Sequence, residues 1–267
     1  MTGMSERIAV EIEAGVADVR LVRADKMNAL DDAMFEALVA TAADLDGNPA
    51  VRAAVLSGEG RAFCAGLDMG SFGRMADGGP RRSLADRSHG IANRAQQAVW
   101  AWRQLRCPVI AAVHGVALGG GFQVALGADI RLIHPDARLS VLEVKWGLVP
   151  DMSSTAIMRH LAREDLIREL TYTGRIFSGR DALNYGFATR LSESPHEEAL
   201  ALAREIAARS PDAVQGAKRL YNNLADRSEA EALLAESVAQ DGLIGSPNQI
   251  EAVRAGMEKR DGRFSDG

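Results

Sequence analysis

Cysteine is scarce in this chain. Only two occur in 267 residues, Cys64 and Cys107, and no CxxC pair exists; this excludes a thiolate metal centre and points to a reducing, cytoplasmic setting. Positive charge is not in excess either. The net charge is −5 with Lys and Arg scattered, so the basic stripe that a nucleic-acid backbone demands is missing. The N-terminal residues alternate charged and apolar positions and lack the apolar core of a signal peptide. One charge-free run, residues 107–128, is long enough to span a bilayer. Its five glycines, with Pro108, His114 and Gln123, fit a buried strand, a turn and a buried helix better, and no membrane partner is expected. Several motifs are missing as well. GEGRAF (58–63) places Phe63 where a dinucleotide fingerprint needs its third glycine, and there is no GxxxxGK[ST], no GxSxG and no HExxH among the five histidines. Metal chemistry is therefore not expected.

What is present is a large apolar fraction, 47%, enough for a full core in one main domain with a smaller appendage. Residues 7–15 and 16–22 read as a hairpin split at Ala14 and Gly15. Met34, Leu38, Ala42 and Leu45 recur at helical spacing behind a capping Asp31 or Asp32. Residues 52–58, 109–115, 129–134 and 138–141 read as strands with helices between most of them, the pattern of an α/β domain. Beyond Ser192 only helices are expected, over 195–209, 211–225, 228–240 and 246–260. The division is thus 1–191 for the core and 192–267 for a helical C-terminal subdomain. Residues 70–90 mix glycine, proline and charge without periodicity, as a mobile surface segment does.

Three segments make joint chemical sense: RAFCAGLDM (61–69), HGVALGGGFQ (114–123) and LEVKWGLVPD (142–151). With RADKMNALD (23–31), SGRDALNYGFATRL (178–191) and GMEKRDGRF (256–264) on either side, their order resembles the crotonase family, the enoyl-CoA hydratase and isomerase superfamily. The resemblance implies an α/β crotonase (ClpP/crotonase-like) fold, a spiral of ββα units with a C-terminal helical subdomain, assembled as a homotrimer or homohexamer. It implies an acyl-CoA thioester as ligand, with coenzyme A part of the substrate and no separate cofactor. It places oxyanion donors at the backbone N–H groups of Ala65 and Gly120, where small residues let the thioester approach. One such donor contributes roughly 2.7 to 4 kcal/mol in a transition state. Lys26, Met27, Ala29, Ala62, Leu67, Asp68, Gly119 and Lys259 are the implied substrate-binding residues, Lys259 often reaching a neighbouring subunit's ligand.

The hydratases of the family carry glutamate at the positions of Gln123 and Glu143, and both hold the water that adds to the double bond. Here the first is an amide, which orients by hydrogen bonds but takes no proton at neutral pH. Glu143 remains, and Asp151 follows in GLVPD; 3,5-dienoyl-CoA isomerases of the family also place an aspartate there, as a second proton carrier. A helix cap for residues 152–161 is the other reading of Asp151. The expected catalytic set is Glu143, Asp151 and Gln123, and the expected reaction is double-bond isomerisation of an enoyl- or dienoyl-CoA. Hydration through Glu143 with Gln123 positioning water, or acyl-CoA binding without turnover, are the alternatives.

Overall fold

The computed structural model describes residues 2–71, 83–224 and 227–266. Strand β1 (Thr2–Met4) runs antiparallel to β2 (Ile8–Glu13), which pairs with β3 (Val16–Leu21) in the expected hairpin. Ala14 and Gly15 take φ of 49° and 82°, the positive values that a tight turn of this hand requires. Helix α1 (Asp32–Asp46) follows, its start fixed by the Asp31 side chain accepting from the Met34 amide, its inner face made by Met34, Phe35, Leu38, Ala42 and Leu45.

Next come β4 (Ala53–Gly58), α2 (Arg94–Gln104), β5 (Val109–Val113), β6 (Val116–Leu118), α3 (Gly120–Leu126), β7 (Ile130–Ile133) and β8 (Arg138–Ser140). The charge-free run thus becomes β5, β6 and α3. Every residue of α3 is buried, which suits a helix whose one polar side chain is Gln123. Among the described residues, no helix is long and apolar enough to cross a membrane. After a 3₁₀ turn at Glu143–Trp146, the chain forms α4 (Ser154–Met158), α5 (Glu164–Thr173), β9 (Phe177–Ser178), α6 (Gly179–Tyr185) and β10 (Arg190–Leu191). Four helices end it: α7 (Pro195–Ala207), α8 (Pro211–Asn222), α9 (Glu229–Leu243) and α10 (Pro247–Glu258). Part of the surface segment expected over 70–90, residues 72–82, lies outside the described residues.

Two sheets organise these elements. The larger has the order β1-β2-β3-β4-β5-β7-β10, parallel from β3 onward, and the smaller the order β6-β8-β9. Successive strands divide between them: β5 joins the large sheet and β6 the small one, then β7 and β8 repeat the step. This is the ββα repeat in physical form. Along β4 and β5 the side chains alternate, Ala54, Leu56, Val109, Ala111 and Val113 facing the layer of α1 and α2, Ala53, Val55, Ile110 and Ala112 facing Ala199, Ala203 and Ala207 of α7. Helix α7 is therefore a layer on the main sheet, and small residues let it lie close.

Candidate active site

Loops at the carboxyl ends of the parallel strands meet at one place, where open α/β sheets hold ligands. Backbone hydrogen bonds stitch them: Leu30 N–H to Gly66 O (2.8 Å), Asp68 N–H to Leu30 O (2.9 Å), Cys64 N–H to Val116 O (3.0 Å), Leu118 N–H to Cys64 O (3.1 Å) and Gly119 N–H to Ser140 O (2.9 Å). Asn28, absent from the sequence candidates, is fully buried. Its side chain accepts from the Arg23 amide at 2.9 Å and donates to Glu59 O and Ala62 O at 3.0 and 2.8 Å. Its φ of 55° is one that asparagine tolerates better than most residues. That φ leaves no mark in sequence, although the asparagine itself does.

The three glycines do different things. Gly119 has φ of 50°, and a Cβ there would crowd Glu143 Oε1 at 3.2 Å. A Cβ on Gly120 would meet Leu30 Cδ1 at 2.8 Å and Met152 Sδ at 2.9 Å, the ends of two flexible side chains. A Cβ on Gly121 would sit 2.2 Å from the Cys64 carbonyl oxygen, a backbone contact with no room to yield. Gly121 is thus the glycine that lets α3 press against the FCAGLD loop.

Ala65 is not a free donor. Its amide already donates to Met27 O at 2.9 Å, because the 23–30 loop needs that bond to lie against residues 64–68. Two residues on, the Leu67 N–H donates to no acceptor among the described residues, and neither does that of Gly120. The two loops touch: a Cβ on Gly66 would lie 3.6 Å from the Gly120 nitrogen.

Glu143 is buried, at 8% exposure. Its Oε1 accepts from Gln123 Nε2 at 2.6 Å, and its Oε2 is buried without a partner among the described residues. Burial pushes its carboxyl above the usual range; the Gln123 hydrogen bond opposes the rise and the Asp151 charge adds to it. Asp151 reaches solvent, yet enough protein surrounds its carboxyl for desolvation to raise it too. Asp151 does not cap a helix over 152–161. The helix there is short, Ser154–Met158, and Ser153 precedes it.

Gln123 is fully buried and engaged at both ends. Its Oε1 accepts from the Met152 amide at 2.9 Å while Nε2 faces Glu143. The Met152 N–H can only donate, so it fixes the orientation of the amide. Both ends of the side chain expected to hold a water or an acyl group are thus engaged within the protein.

The outer candidates separate. Both Asp68 oxygens are used, Oδ2 by Arg23 at 2.8 Å and Oδ1 by the Gly70 amide at 2.8 Å. Although burial raises the Asp68 carboxyl, those bonds bring it below the usual range, and they brace the loop. Lys26 is exposed on the 3₁₀ turn Ala24–Lys26 beside Met27, with Ala29 and Ala62 buried behind it. Lys259 ends α10 in a left-handed conformation, exposed, and no hydrogen bond or ion pair joins its side chain to the other candidates among the described residues. Cys64 is no nucleophile: its buried thiol donates to Asn28 O at 3.1 Å and is pushed up to about 12 by desolvation.

The sequence profile of the enoyl-CoA hydratase/isomerase family matches residues 11–267. The peroxisomal delta(3,5)-delta(2,4)-dienoyl-CoA isomerase of Arabidopsis thaliana is 30% identical over 267 residues, covering 97% of this chain and 96% of that protein. The crystal structure of an enoyl-CoA hydratase from Bacillus anthracis superposes with a TM-score of 0.86 at 27% identity, over 98% of this chain and 100% of that one. An enoyl-CoA hydratase structure from Mycobacterium smegmatis gives 0.84 at 28% identity, over 97% and 99%. With the ββα repeat, the split sheets and the loop-held Glu143 as its structural counterpart, the chain has the crotonase fold and belongs to the enoyl-CoA hydratase/isomerase family.

Proposed function

We propose that the protein isomerises a double bond in an enoyl- or dienoyl-CoA, with Glu143 as base and Asp151 as a second proton carrier. Glu143 Oε2 takes a proton from the carbon next to the thioester. The electron pair moves into the carbonyl, whose oxygen the Leu67 and Gly120 amides hold as an oxyanion. The double bond shifts as Glu143 or Asp151 returns a proton to the distal carbon. The single observation that carries this reading is the buried Glu143 with one oxygen tied to an amide and the other free. The amide at 123 cannot share the proton work of adding water as a second carboxylate there would, which favours isomerisation over hydration through Glu143 alone. Lys26, Met27, Ala29, Ala62 and Leu67 border the path for the CoA moiety, which enters and leaves with the substrate, so no separate cofactor is assigned.

The working unit is a homotrimer or homohexamer built through the C-terminal helices, since Leu233, Leu234 and Val238 of α9 are 63–65% exposed in the single chain. Both cysteines are free and buried, which suits the cytoplasm. The test is absorbance on mixing the protein with 2-enoyl-, 3-enoyl- and 3,5-dienoyl-CoA. Loss of 3-enoyl- or 3,5-dienoyl-CoA with little hydration of 2-enoyl-CoA is expected. Dominant hydration would overturn the isomerase reading, and binding without any turnover would leave acyl-CoA binding alone.

A further inference from the structure

We infer that Gln123 is a positioning residue that brackets the two carboxylates, tying Glu143 to the backbone next to Asp151 and leaving Glu143 Oε2 as the reacting oxygen. This rests on the reading of Glu143 as the base. One end of the amide donates to Glu143 Oε1 at 2.6 Å; the other accepts from the Met152 N–H at 2.9 Å, one residue after Asp151. Residues 143 and 151 sit on separate stretches of irregular chain, a 3₁₀ turn and the approach to a short helix. Their spacing is otherwise left to loop backbone. Gln123 supplies the cross-tie from α3, a helix buried throughout.

Only an amide meets both demands without a proton. A carboxylate at 123 would accept from Met152 but has nothing to donate to Glu143 unless protonated, and an apolar side chain would do neither. Among the described residues, the charges around Glu143 are few. Asp151 faces it; α3 carries no ionisable side chain. On α5, Glu164 pairs with Arg168, Asp165 with Arg163 and Glu169 with Arg175. Lys145 lies over the Trp146 ring at 5.2 Å. Among the described residues, the Gln123 donor is therefore the one side-chain hydrogen bond that favours the Glu143 anion.

The experiment replaces Gln123 with Met, of similar length and without either hydrogen bond, and with Asn, which keeps the amide but is one methylene too short to span both partners. Carbon-13 spectra of glutamate-labelled protein, with Glu143→Gln identifying the signal, report the titration of Glu143 without substrate. Both variants should move that titration to higher pH by roughly one unit. In turnover, the acid limb of the pH profile should move with it, and kcat should fall about tenfold to a hundredfold with KM little changed. An unmoved Glu143 titration in a folded variant overturns the positioning role, even if the rate has dropped. If Gln123→Met does not fold, Gln123→Asn decides the same point. Failure of the base reading shows differently: Glu143→Gln would then keep the parent's turnover, while the titration shift would still stand or fall on its own.

Discussion

Glu143 illustrates how one residue's burial serves chemistry at the expense of stability. Its carboxyl titrates higher in the folded chain than in the unfolded one, because desolvation disfavours the anion. The folded state thus keeps its proton over a pH window in which the unfolded state has lost it. Stability is full below the usual glutamate range and declines as pH rises through that window. Glu143→Gln has no proton to lose there, and its amide oxygen can still accept from Gln123. The variant should therefore lose at least about a hundredfold in kcat while melting no lower than the parent at neutral pH. Calorimetry across pH 4 to 8 checks the second half: the variant's advantage should appear only above the glutamate range. The candidacy of Glu143 was legible in the sequence from its motif. Which of its oxygens is free was not, because Gln123 lies 20 positions away in sequence and its partners depend on how α3 meets the loops.

At the scale of elements, the glycine triplet was legible as a turn into a helix, but the division of labour within it was not. Sequence shows three equivalent residues; the structure gives each a different neighbour. Gly121→Ala drives a Cβ into the Cys64 carbonyl and forces α3 away from the FCAGLD loop, whereas Gly120→Ala pushes only on the ends of Leu30 and Met152. Gly121→Ala should accordingly cost more, about 1 to 3 kcal/mol as overpacking does, and Gly120→Ala less. Urea titrations of both variants test this, and the reverse order would mean that α3 does not rest on Cys64. The same dependence on loop contact explains why the Ala65 amide, expected as a donor, is engaged within the protein while the unengaged amide lies two residues later. Spacing within FCAGLD cannot reveal that the Met27 carbonyl has taken the Ala65 amide. The strands, by contrast, were readable because near-continuous apolar runs such as β4 and β5 report a parallel sheet buried on both faces.

Over the whole molecule, the C-terminal helices were legible in position and not in partner, since an apolar stripe looks alike whether its own chain or a second copy covers it. Helix α7 is covered by the sheet. Helix α8 is anchored by Lys218, whose Nζ reaches Asp129 Oδ2 and Cys107 O at 2.8 Å each. Helix α10 is held by Asn248, which donates to Asp212 and to Ser265 O, while Arg52 binds the Phe264 carbonyl. Helix α9 has no buried residue at all. A groove of about 660 Å³ between α8 and α9, lined in part by Leu220, Leu234 and Val238, lies apart from Glu143 and Asp151. Contiguous apolar surface of this kind is what contact with another chain buries. The double variant Leu234→Asp, Val238→Asp places two charges on it without touching the core. Sedimentation of the parent should give a trimer or a multiple of three, and the variant should sediment as a monomer with an unchanged circular-dichroism spectrum. A parent that runs as a monomer would remove α9 as an assembly surface, and a variant that stays assembled would place the contact elsewhere on the chain.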